Sequence, residues 1–103
     1  MDDLRAALAR AADTVATYRE TLPEARVTPV AGRRDVRASP GALRDGPSPL
    51  EDVVDELVER AAPGLMGSAG PRYFGFVTGG TLDAALVADV IAAGWDQCAF
   101  NEA

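Results

Sequence analysis

Between Leu82 and Trp95 the chain places Leu82, Ala85, Leu86, Val87, Val90, Ile91, Ala93 and Trp95 around most of the circumference of a helix. Asp83 and Asp89 are the only charges in that span. A helix that is apolar on nearly every side has to be covered on nearly every side. This one is therefore expected deep in a larger body or at a subunit interface. Its alanines and Gly94 permit close backbone approach to whatever covers it. The rest of the chain has to supply its walls, and two amphipathic helices are too few to do so.

Directly ahead of this helix lies an aromatic segment, Arg72-Tyr73-Phe74-Gly75-Phe76-Val77, and the turn Thr78-Gly79-Gly80. Glycine after the aromatic run allows a positive φ or a close approach to another group, and Thr81 is placed to N-cap a helix starting at Leu82. A helix start preceded by glycines also attracts anions. The Thr78 to Thr81 turn is therefore a small-anion candidate, although it lacks the spacing of a phosphate loop.

Two further helices are expected upstream. Leu4, Leu8, Ala11, Val15, Tyr18 and Leu22 recur at alternating spacings of four and three, which makes one apolar stripe from Asp2 to Leu22. Asp2 and Asp3 suit its N-terminal end, Arg19 suits its C-terminal end, and Pro23 stops it. The stripe is narrow and calls for one partner surface, such as another helix. The second helix opens on Ser48-Pro49-Leu50-Glu51, with Ser48 as N-cap, Pro49 at the first helical position and Glu51 closing a capping box. Leu50, Val53, Val54, Leu57, Val58 and Ala61 form its apolar face. Glu51, Asp52, Asp55, Glu56 and Glu59 cover the remainder, and Pro63-Gly64 ends it. Those carboxylates are spread around a solvated face and do not converge as a hard-cation site requires.

From Pro23 to Pro47 the chain is rich in Pro, Gly and Arg and keeps no period, so it is expected to be a long irregular connection with a short extended piece at residues 26–30. Arg33, Arg34 and Arg37 are expected to be solvated there, with carboxylates across an interface as the alternative. The glycine-rich link 64–71 leads into the aromatic segment. The expected architecture is mainly α, three helices joined by long loops.

Charge and absences narrow the function. The net charge of -6, with no basic cluster, argues against nucleic acid and anionic membrane surfaces. The longest apolar stretch is too short to span a bilayer and no leader pattern opens the chain, so a soluble, cytoplasmic protein is expected. Cys98 is the single cysteine. It is expected to be a buried, inert thiol, because no Lys or His stands beside it to lower its pKa. All ten basic residues are arginines and there is no histidine. The chain thus holds no amine side chain for a Schiff base and no imidazole for acid-base work or metal ligation.

The string Pro71-Arg72-Tyr73-Phe74-Gly75-Phe76-Val77-Thr78-Gly79-Gly80, followed by Ala84-Ala85-Leu86-Val87-Ala88-Asp89 and then Trp95-Asp96-Gln97, resembles the pyridoxal-phosphate-dependent decarboxylases of the aromatic amino acid and glutamate decarboxylase group. The resemblance covers about a third of the chain closely and lies at the beginning of that family's chain. It implies the N-terminal part of an α/β enzyme of fold type I. Residues 1–67 would be a helical, dimer-embracing segment and residues 68–103 the start of the large domain.

It also implies that the Schiff-base lysine and the histidine stacked on the cofactor lie downstream. A carboxy-lyase activity on an amino acid, with pyridoxal 5'-phosphate as cofactor, would then belong to a longer homodimeric protein, and this chain alone would be inactive. In that family the matching segment forms a wall of the substrate pocket, which implies Phe76, Val77, Thr78, Gly79 and Gly80 here. Some members carry threonine where Gly79 stands. Phe100, and after it Cys98, would line the partner subunit's pocket. Two readings of another class stay open, a non-catalytic helical oligomerisation module and a small-anion-binding helical domain.

Overall fold

The structure, a computed structural model, describes residues 2–38, 41 and 43–98 of the chain. Among them are the helices α1 (Asp2–Thr21), α2 (Arg33–Ala38), α3 (Leu50–Ala61) and α4 (Asp83–Trp95), with single 3-10 turns at Leu22–Glu24 and Ala62–Gly64. No strand occurs among the described residues, so the chain is mainly α. The three long helices lie where periodicity places them.

The helix starts differ in detail from the expected caps. Pro49 occupies the N-cap position of α3 with no side-chain cap hydrogen bond. The Ser48 hydroxyl instead accepts from Arg44 Nη1 at 3.2 Å. The capping box does not form, because a guanidinium is a stronger donor to that oxygen than a backbone N–H. Likewise α4 is entered from Leu82, in extended conformation, without a side-chain cap from Thr81.

The narrow stripe of α1 divides between two neighbours. Ala7 of α1 and Leu22, in the 3-10 turn that follows it, are buried. On one edge α1 packs against α3, its main tertiary neighbour. The two helices are joined there by Arg10 Nη2 and Asp55 Oδ1 at 2.6 Å. Leu8 and Val15, on the other edge, remain half in solvent and turn toward α4. A stripe spanning about 100° offers two flanks, and each flank takes the neighbour on its own side.

The connection between α1 and α3 contains one element that the sequence does not announce, the six-residue helix α2. Its Val36 packs onto Gly64, so closely that a Cβ there would fall 2.6 Å from Val36 Cγ2. The expected extended piece at residues 26–30 is instead a bent segment, turning at Val27, Thr28 and Val30 and pairing only sparsely. Gly67 N donates to Val27 O at 2.9 Å, and nearby Ala31 N donates to Pro63 O at 2.8 Å. Two hydrogen bonds spaced along a segment hold it in place without making a ladder. Gly70 closes the layer. An added Cβ would sit 3.1 Å from both Leu22 Cγ and Leu22 O, so only glycine fits without displacement.

The expectation of deep burial for α4 is not met within these residues. Val87, Val90, Ile91 and Trp95 are all exposed, because only the α1 flank of Leu8, Ala12 and Val15 faces α4 and no second or third wall covers it among the described residues. The whole chain exposes 8855 Å², against about 5,500 Å² for a compact monomer of this size. Its radius of gyration is 16.4 Å, compared with about 13 Å for a compact chain of 100 residues.

Candidate functional site

The five residues 76–80 form a continuous exposed edge that runs from the aromatic segment into α4. The turn is held by backbone contacts, Tyr73 N to Gly70 O at 3.3 Å and Thr78 N to Gly75 O at 3.4 Å. The Thr78 hydroxyl folds back toward the same Gly75 carbonyl at 3.4 Å, a weak contact that leaves it free to turn outward. Phe74, Phe76 and Val77 stand in solvent.

The backbone of this edge departs from what glycine placement predicts. Phe76 and Val77 both have φ of 52°, while neither Gly79 nor Gly80 has a positive φ. For a β-branched valine the left-handed region is sterically costly, on the order of 1–2 kcal/mol. Gly80 serves by closeness, since a Cβ there would lie 3.2 Å from Ala69 O. Gly79 faces open space.

Arg19, in the last turn of α1, reaches across to the start of α4. Its Nη2 donates to the Thr81 carbonyl and approaches Asp83 Oδ1 at 3.5 Å. The Arg19 side chain is 25% exposed, whereas Asp83 is 98% exposed, so solvent screens the ion pair. With Asp83 in the first turn of α4 and Thr81 O occupied by a cation, this helix start presents a carboxylate toward any incoming anion. That electrostatic arrangement disfavours the small-anion reading.

Between α1 and α4 runs an apolar groove of about 420 Å³, walled by Leu8, Ala12 and Val15 on one side and Leu86, Val90 and Ile91 on the other. A second cavity of about 650 Å³ lies beside α3, where Arg44 and Arg60 both bind Glu56 Oε1, at 2.6 and 2.7 Å. The acidic face of α3 is thus partly neutralised by arginines from three directions, Arg10 included. No group of His, Cys, Asp and Glu able to hold a metal is found among the described residues.

Two expected positions need correction or fall away. Cys98 is exposed, not buried, since it lies three residues beyond the end of α4. Phe100 lies outside the described residues. Sequence reasoning missed the Arg19 contact and the pairing of Arg44 with Glu56. Only the Glu56–Arg60 pair, at i,i+4, had a local signal. No helix among the described residues is long and apolar enough to cross a membrane.

No family model matches the chain, and no solved structure matches it. Among curated proteins, tyrosine decarboxylase 2 of Narcissus pseudonarcissus is 29% identical over 62 residues, which are 60% of this chain and 12% of that protein. The chain therefore covers only a small part of that relative's length. The likeness is distant and partial, a link to the decarboxylases at superfamily level.

Proposed function

We propose that the chain is the N-terminal segment of a pyridoxal-phosphate-dependent amino acid decarboxylase. Residues 1–67 would contribute contacts to a partner subunit, and residues 68–103 would begin the large domain and one wall of the substrate pocket. The observation that carries the reading is the 62-residue likeness to a tyrosine decarboxylase. The surplus of exposed surface supports the partner contacts. The surplus of about 3,300 Å² in one chain exceeds the roughly 1,000–2,500 Å² that an obligate interface covers on each partner, so surface for one is available.

In this reading Phe76, Val77 and Thr78 shape the pocket by packing, and Gly79 and Gly80 keep its floor low. Phe100 reaches the partner's pocket. The cofactor does not fit the residues present. There is no lysine or histidine in the chain, and the α4 start bears Asp83 where a phosphate would need donors. Cofactor binding and bond breaking therefore belong to other parts of the full-length enzyme.

The test is the full reading frame. Its product is expected to release carbon dioxide from an aromatic amino acid only with pyridoxal phosphate present, while the 103-residue chain alone releases none. A reading frame without a downstream lysine, or a product that forms no Schiff base with the cofactor, would leave the helical self-association module as the better account, which the apolar α1–α4 groove also supports.

A further inference from the structure

We propose that Arg19 is a positioning residue that clasps the segment 69–83, and with it the first turn of α4, onto the C-terminal end of α1. Around this segment the chain returns to one place three times. Gly70 packs on Leu22, Gly80 lies against the Ala69 carbonyl, and Arg19 binds the Thr81 carbonyl and the Asp83 carboxylate. The residues between these contacts are the exposed edge 76–80, with its two non-glycine residues in left-handed backbone. A conformation of that kind persists where its ends are held, and the contacts above hold both ends.

The chemistry suits a clasp. The α1–α4 groove is apolar and open, so packing alone sets neither the distance nor the direction of α4. A guanidinium supplies direction, because its planar donors fix the carbonyl they bind. Thr81 O is the working acceptor, since it is the closer of the two partners, and Asp83, 3.5 Å away and almost fully in solvent, adds little. Position 19 also lies where the α1 carbonyls favour a cation.

The structural effect stands without the decarboxylase reading. Its bearing on catalysis, as the residue that sets the pocket wall, rests on that reading. Hydrogen exchange by mass spectrometry on the protein and its variants separates the two, because it needs no activity. Arg19→Ala is expected to speed exchange of amides 78–86 by about tenfold, the loss of one hydrogen bond from a charged donor, with amides 50–61 unchanged within about twofold. Arg19→Lys, which retains a donor, is expected to recover part of the protection, and Asp83→Asn to stay near the parent. Unchanged exchange at 78–86 in Arg19→Ala, equal loss of protection at 50–61, or a parent protein with no protection at 78–86 would each overturn the clasp. In the full-length enzyme Arg19→Ala is expected to raise KM more than it lowers kcat.

Discussion

The α1–α3 half and the α4 half of this chain both contain helices with apolar faces and differ in how far those faces are covered. α1 and α3 pack against each other, with Ala7 buried on α1 although no residue of α3 is, and carry an ion pair across the contact. α4 is the most apolar of the helices and the least covered, touching the remainder through an open groove and the Arg19 contacts. Apolar content by itself therefore does not bury a helix. Burial takes a matching surface within reach, and α1 has already committed one flank to α3. Under the proposed function, the uncovered faces of α4 are where this chain would meet a partner.

The contrast is sharpened first by Leu22→Ala. Leu22 is 6% exposed and sits between α1 and Gly70, so its truncation is expected to cost about 2–4 kcal/mol in urea unfolding. A cost below about 1 kcal/mol would mean that the end of α1 and the Gly70 turn share no real core. At Val90, 59% exposed in the α4 half, an aspartate is expected to leave that stability nearly intact but weaken self-association about tenfold by sedimentation. A parent chain that is monomeric at all concentrations would break the comparison instead.

Smaller effects probe the hinge between the halves. Val77→Gly removes the left-handed strain and is expected to stabilise by about 1 kcal/mol, despite glycine's greater unfolded freedom. Destabilisation by that substitution would show that the Val77 side chain packs on something. Arg10→Ala removes a half-exposed ion pair and is expected to cost less than about 1 kcal/mol, and less still at high salt. A larger, salt-insensitive loss would mean that the α1–α3 contact depends on charge and not on packing.

Much of this was legible in residue order, and the misses share a cause. The long helices follow from apolar spacing and from stops at Pro23 and Pro63. The short helix α2 was not legible, because six residues carry too little period and Val36 is held by Gly64, far along the chain. The capping box at Ser48 was legible but wrong, since a distant donor, Arg44, took the hydroxyl. At the candidate pocket wall the residues 76–80 were identified from the family resemblance. Their backbone was not, because positive φ fell on Phe76 and Val77 although glycines stood beside them.

Residue order alone set the helix positions, the all-round apolar character of α4, and the absence of lysine and histidine that removes Schiff-base chemistry from this chain. Each depends on residue identity or on neighbours three or four apart, which any stretch of sequence displays. Tertiary structure decided which flank of α1 faces α3, that α4 stays uncovered, and that Arg19 meets Thr81 across 62 residues. Those outcomes depend on the path of the chain, which brings together groups whose spacing carries no local period.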